Sequence, residues 1–183
     1  MDNILTVKGL TKKFSKFVLG GLDFEIPRGF ATALIGANGA GKTTLIDLLC
    51  GVIHTDSGEV TYFGTEKDID SEELRERIGY CSAQGFFPYG WKPRDIAESM
   101  SAAYKKFDRE KFNRLCREMD VDDEFSKKQR AMYKQSDGNR MRTALAAVFA
   151  RETELLILDE PGSPLDPLMR DRLCDSISAL VLS

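Results

Sequence analysis

The chain has 183 residues, a formal net charge of −3 and 30% charged residues. That length fits one domain, or one domain with a small inserted lobe, and the balanced charge lacks the basic excess that marks nucleic-acid binders. No stretch approaches the roughly 18 uninterrupted apolar residues that cross a bilayer, and the opening MDNILTVKG lacks the shape of a secretory leader. The four cysteines, Cys50, Cys81, Cys116 and Cys174, form no C-x-x-C pair. They read as small buried hydrophobes in a reducing, cytosolic compartment and not as a metal cluster.

In chain order, residues 3–35 alternate apolar and polar in short runs, ILTVKGL, FVLGGLDFEIP and ATALI, which predict strands punctuated by Pro27-Arg28-Gly29. A helix is predicted over 41–50, closed by Gly51 as a C-terminal cap. Two further strands fit Gly58–Phe63 and Arg77–Cys81. From Lys92 to about Tyr133 the pattern turns helical, with Ile96, Met100, Tyr104 and Phe107 at helical spacing. Asp108 then caps a second helix whose apolar face is Phe112, Leu115, Cys116 and Met119. A helix after Ser136, the strand LLILDE and a last helix from Asp166 to Leu182 complete the chain. The order implies an α/β fold: a parallel-sheet core, an antiparallel β lobe before it and a helical insert of about 86–135 within one domain spanning 1–183.

Leu34 to Leu45 reads LIGANGAGKTTL, following an apolar strand and opening a helix. Gly36, Gly39, Gly41, Lys42 and Thr43 fill the phosphate-loop pattern G-x-x-x-x-G-K-[ST]. Glycines let backbone N–H groups curl around a polyphosphate. Lys42 brings a mobile charge to the outer phosphates, the Thr43 hydroxyl can ligate Mg2+, and the helix dipole points its positive end at the same anion. The second constellation is Leu155-Leu156-Ile157-Leu158-Asp159-Glu160-Pro161. Four aliphatic residues suit a parallel strand buried on both faces, and ligands of open α/β sheets bind at strand carboxyl ends. Asp159 is placed for the Mg2+ shell and Glu160 to polarise an attacking water.

With these motifs the chain resembles the nucleotide-binding subunit of an ABC (ATP-binding cassette) transporter from residue 3 onward. Gln135-Ser136-Asp137-Gly138-Asn139-Arg140-Met141-Arg142 occupies the family's signature position, with Ser136 lying 23 residues before Asp159. Ser163-Pro164-Leu165-Asp166 is similar to the D-loop, and Phe14 matches the aromatic that stacks on adenine. The stretches IGYCSAQGFFPYGW and FDREKFNRLCREM are most similar to bacterial single-cassette subunits of drug, antibiotic or cell-envelope exporters. The resemblance implies that Phe14, Gly36, Asn38, Gly39, Ala40, Gly41, Lys42, Thr43 and Thr44 hold ATP. It implies that Ser136 and Gly138 cap the γ-phosphate held by a second subunit. Thr43, Asp159 and Gln84 would surround Mg2+, and Glu160, Lys42 and Gln84 would serve hydrolysis. Its implied partners are membrane-spanning permease subunits and a second ATPase subunit, identical or not, with no nucleic acid. Its implied place is the cytoplasm, peripheral on the inner face of the cell membrane.

Several residues depart from the family pattern. Gln135, Asp137 and Asn139 replace three of the five signature residues Leu-Ser-Gly-Gly-Gln. Asp137 suits the first turn of its own helix yet opposes an incoming triphosphate. Gln84 stands one position after Ala83, where the family's glutamine aligns, so a ligand to metal or water and a plain loop residue both remain open. The family continues past the D-loop helix to another strand and a switch histidine; here the only histidine, His54, lies in a surface turn, and the chain reads as C-terminally shortened. The expected reaction is MgATP hydrolysis driving subunit closure and coupled motion of membrane partners. The rival is a nucleotide-binding but nearly inactive regulatory or vestigial module. A small-molecule P-loop kinase, which needs an acceptor site and an arginine-rich lid, is disfavoured by the DEP strand end.

Overall fold

The computed structural model describes residues 2–65, 71–82 and 87–182. The chain divides into two compact units, Met1–Arg75 with Asp175–Ser183, and Glu76–Cys174.

In the first unit, β1 (Asn3–Lys13) and β2 (Val18–Pro27) form an antiparallel hairpin, and β3 (Ser57–Tyr62) pairs with the other edge of β1. Alternation in β1 sets the register. Leu5 lies opposite Ile26 and Tyr62, and Val7 opposite Phe24 and Val60, with both residues buried. Helix α1 (Lys42–Leu49) buries Leu45, Ile46, Leu48 and Leu49. Its end is closed at the expected residue: Gly51 N–H donates to the Leu48 carbonyl at 3.3 Å and Val52 N–H to that of Asp47 at 2.9 Å, the paired bonds of a Schellman cap. The buried Tyr62 hydroxyl donates to the Leu49 carbonyl at 2.8 Å, tying β3 to the end of α1. Burial pushes this phenol's pKa up.

The predicted strand Ala31–Ile35 is not formed: residues 30–36 carry no strand, and Ile35 is 89% exposed. An apolar run becomes a strand only by joining a hydrogen-bond ladder. Among the described residues the three-stranded sheet is β2-β1-β3, without this segment.

A short helix, α2 (Glu72–Arg77), which the apolar pattern did not signal, leads into β4 (Ile78–Ser82). In the second unit β4 pairs in parallel with β5 (Leu155–Asp159), Ile78 beside Leu155 through Ser82 beside Asp159. Leu155 and Asp159 are buried, but Leu156, Ile157 and Leu158 are only partly so. The expected burial on both faces is incomplete because, among the described residues, β5 has a single ladder neighbour. Three helices accompany these strands: α3 (Pro93–Ala103), α4 (Arg109–Glu118) and α5 (Asp137–Phe149). Helix α5 packs against α3, α4 and β4, burying Leu145, Ala146 and Val148.

Asp108 caps α4, accepting from Lys111 N–H at 2.8 Å, and Phe112, Cys116 and Met119 turn inward with Leu115 half-buried. The helical spacing before it overreaches. Helix α3 stops at Ala103, and Tyr104 is extended at ψ 119°, with its ring 3.5 Å from the Arg151 guanidinium. Phe107 bridges to Arg151 outside any helix. Beyond α4 the chain to Tyr133 is irregular except for a 3-10 turn at Met132–Lys134. It is held by carboxylates: Arg109 and Asn113 bind Glu124, Arg117 and Ser126 bind Asp123, and Arg130 binds Asp122.

Helix α6 (Pro167–Leu182) is capped by Asp166, whose carboxylate accepts from Met169 N–H at 3.0 Å. Met169 and Leu173 are buried, Ile177 is half-buried and Leu180 exposed, so its apolar face is covered only at the start. Cys81 and Cys116 are buried, which pushes each thiol up to about 12. Cys50 is half-buried and Cys174 exposed, against expectation. Cys174 follows Leu173 by one residue, a rotation of about 100° off the buried stripe.

Candidate nucleotide-binding site

The phosphate loop curls tightly. Ala40 N–H donates to the Ala37 carbonyl at 3.1 Å, and Lys42 Nζ donates to the carbonyls of Gly36 at 2.9 Å and Ala37 at 3.2 Å. The ammonium therefore sits over the start of the loop, beside the first turn of α1. That turn presents backbone N–H groups without helical partners, a natural anion site. Gly41 is the N-cap of α1 with φ +96°, and a methyl group there would stand 3.1 Å from both Phe17 Cζ and Leu19 Cδ1. The torsion favours glycine, and a methyl group would press on both side chains. Asn38, Gly39 and Ala40 form the exposed crest, while Thr43 and Thr44 lie half-buried in the first turn of α1.

At the tip of the β1–β2 hairpin, Phe14 N–H donates to the Phe17 carbonyl at 2.8 Å. The two rings stack with centroids 6.3 Å apart and planes 25° from parallel. Both residues reach solvent, at 44% and 39% exposure. Phe14 was expected from the sequence. Phe17 was not singled out, although its place three residues on, across a tight turn, is a legible signal.

The second unit carries the acidic strand end. Asp159 is 5% exposed at the close of β5, and Glu160 follows in the left-handed region at φ +49° with its carbonyl accepting Ser163 N–H at 3.0 Å. Arg170, unforeseen in the sequence, donates through Nε to the carbonyls of Gly162 at 2.9 Å and Leu165 at 3.0 Å, fastening the turn after Glu160. Ser136 caps α5, accepting from Asn139 N–H at 3.2 Å. A methyl group at Gly138 would lie 2.8 Å from the Pro164 carbonyl, so the signature helix and the D-loop-like turn touch through backbone.

Asp137, 76% exposed on its side chain, forms an ion pair with Arg140. Arg140 also donates to the Gln135 carbonyl at 3.1 Å and lies 5.6 Å from the centre of the Tyr89 ring. The expected opposition of Asp137 to an incoming phosphate is thus partly cancelled by its own helix. Gln84 lies outside the described residues, and His54 is exposed.

The structure thus gathers Phe14, Phe17, Gly41 and Lys42 in the first unit, and Ser136, Gly138, Asp159 and Glu160 in the second. Among the described residues no three or more His, Cys, Asp or Glu side chains could hold a metal by themselves. Mg2+ takes one or two protein oxygens and completes its shell with water and substrate phosphates, and the Thr43 hydroxyl and the Asp159 carboxylate, one in each unit, are oxygen donors of that chemistry. Among the described residues no helix is long and apolar enough to cross a membrane.

The family described as ABC transporter matches residues 19–163. Over 98% of its length the chain is 32% identical to the uncharacterized ABC transporter ATP-binding protein YdbJ of Bacillus subtilis (strain 168), covering 58% of that protein. Over 98% of its length it is also 32% identical to the daunorubicin resistance ATP-binding protein DrrA3 of Streptomyces coeruleorubidus, covering 57% of it. Among solved structures, an ATP-binding subunit of an ABC transporter superposes with a TM-score of 0.82 at 24% identity, over 98% of this chain and 75% of that one. The cbiO1 protein of Clostridium perfringens, part of the ABC transporter complex cbiONQ, gives 0.70 at 25% identity over 99% and 74%. The chain spans between 50% and 58% of the length of the curated relatives it matches first.

Proposed function

The chain belongs to the ABC transporter family of ATP-binding proteins, and from that premise we propose that it binds and hydrolyses MgATP to drive transport by separate membrane subunits. The observation that carries the reading is the curled loop at the start of α1, with Lys42 over the Gly36 and Ala37 carbonyls. Here Lys42 exchanges loop carbonyls for outer phosphate oxygens, and the N–H groups of the loop and of Thr43 and Thr44 face the remaining charge. Phe14 stacks on the base. Thr43, Asp159 and Gln84 would hold Mg2+, which would neutralise phosphate charge.

Glu160 accepts a proton as water attacks the γ-phosphorus. The bond from that phosphorus to the bridging oxygen breaks, leaving ADP and phosphate. Ser136 and Gly138 offer a hydroxyl and a helix N-terminus to the γ-phosphate held by a second ATPase subunit, and closure of the pair is passed to permease subunits. The site belongs on the inner face of the membrane, and 1–183 acts as one nucleotide-binding domain with a helical subdomain of about 86–135. The ion pair between Asp137 and Arg140 weakens the motive for a nearly inactive module.

The test is ATP binding by calorimetry. Lys42→Ala removes a charge-assisted contact worth roughly 1.5–3 kcal/mol, so affinity should drop about ten-fold or more while the fold persists. Equal affinity of the two proteins would falsify the assignment.

A further inference from the structure

Phe17 occupies a position that stacking on a base does not explain. One face of its ring lies against Phe14, at 6.3 Å between centroids. Its outer edge closes on the phosphate loop, where Cζ and Cε1 would stand 3.1 Å and 3.5 Å from a methyl group at Gly41. Gly41 is the N-cap of α1 and holds φ +96°, a conformation that favours glycine and that neighbouring atoms must keep in place. Leu19 Cδ1 would stand 3.1 Å from the same methyl group, so two hairpin side chains border the loop at Gly41. The turn is short and tied, with Phe14 N–H on the Phe17 carbonyl at 2.8 Å, so neither ring moves far without the other.

We propose that Phe17 is a positioning residue that braces Gly41 and orients Phe14, coupling capture of the nucleobase to order in the phosphate loop. It rests on the reading of residues 36–44 as a phosphate site. A base settling on Phe14 restrains the hairpin tip, and through Phe17 the Gly41 torsion. A polyphosphate settling in the loop restrains the tip in return, since coupling between sites is reciprocal. Phe17 therefore affects ligands that never touch it, and that separates a brace from a second stacking ring.

Calorimetry with two probes, MgATP and Mg-tripolyphosphate, tests this on the full chain and its Phe14→Leu, Phe17→Leu and Phe17→Tyr variants. Phe14→Leu should weaken MgATP about three- to ten-fold and leave tripolyphosphate unchanged, as loss of one aromatic face requires. Phe17→Leu should weaken MgATP at least as much and also weaken tripolyphosphate, about two- to five-fold by loss of the coupling. Phe17→Tyr keeps the stacked ring but puts an oxygen on Cζ, the atom that faces Gly41, and should weaken tripolyphosphate as Phe17→Leu does; an unchanged thermal midpoint in both variants rules out general damage to the fold. Unchanged tripolyphosphate binding in Phe17→Leu or in Phe17→Tyr overturns the brace. If the unaltered chain binds neither probe, the phosphate-site reading itself falls and takes the brace with it.

Discussion

Asp137 stands in the first turn of α5, where a carboxylate stabilises its helix by about 0.3–1 kcal/mol. A bare charge there would repel a triphosphate brought up by another subunit. The Arg140 guanidinium changes that balance: it pairs with the carboxylate, holds the Gln135 carbonyl at 3.1 Å and rests near Tyr89. An exposed pair one turn apart is worth only tenths of a kcal/mol, so it cancels charge yet yields when a stronger anion arrives. Opposite effects of its two members should follow. Asp137→Gly leaves Arg140 free for a phosphate and should raise ATP-dependent dimerisation more than ATP binding by the monomer. Arg140→Ala bares the carboxylate and should lower dimerisation. Sedimentation in a Glu160→Gln background, which holds ATP uncleaved, reads both; dimerisation unmoved by either change would place Asp137 away from any phosphate.

Helix ends were the most legible elements because single residues decide them. Asp108, Ser136 and Asp166 each accept a backbone N–H near a helix start, and Gly51 closes α1. Strands were legible where alternation met a partner, as in β1, and misleading at Ala31–Ile35, where apolar character said nothing about a ladder. The loop glycines, Lys42 and Asp159 were readable from their motifs; Phe17, three residues after Phe14, and Arg140, three after Asp137, stand at readable spacings, whereas Arg170 acts through the Gly162 and Leu165 carbonyls, which no motif announces. The helical expectation to about Tyr133 rests on apolar spacing and fails after α4, where the segment carries many charges. In the structure those charges are the fasteners. The Arg109 guanidinium holds the Glu124 carboxyl below its usual range, against desolvation, with Asn113 assisting. Folding therefore favours the charged form. This stabilisation is complete above the unfolded value of about 4.3 and lost as pH falls through the lower folded value. Urea unfolding followed from pH 7 to pH 3 should show a steep acid loss that flattens in Glu124→Gln. A parallel decline in both proteins would remove this carboxyl from the acid limb.

For the molecule as a whole, surface chemistry matters as much as the site. The first unit exposes Phe30, Leu34, Ile35 and Val52, large apolar side chains at 48% to 89% exposure. Phe30, Leu34 and Ile35 fall on a segment that carries no strand. Exposed apolar surface of this kind is what a second copy of the chain can cover. The net charge of −3 supplies little long-range repulsion against such contacts. The 1–183 chain should therefore self-associate as its concentration rises, and the association should strengthen with kosmotropic salt, as burial of apolar surface does. Ile35→Lys puts a charge at the most exposed of these positions, where no packing is lost, and should shift the population toward monomer without lowering the thermal midpoint. Light scattering across a dilution series reads the mass, and calorimetry the midpoint. A wild-type chain that stays monodisperse at every concentration would show that this apolar segment is covered in solution.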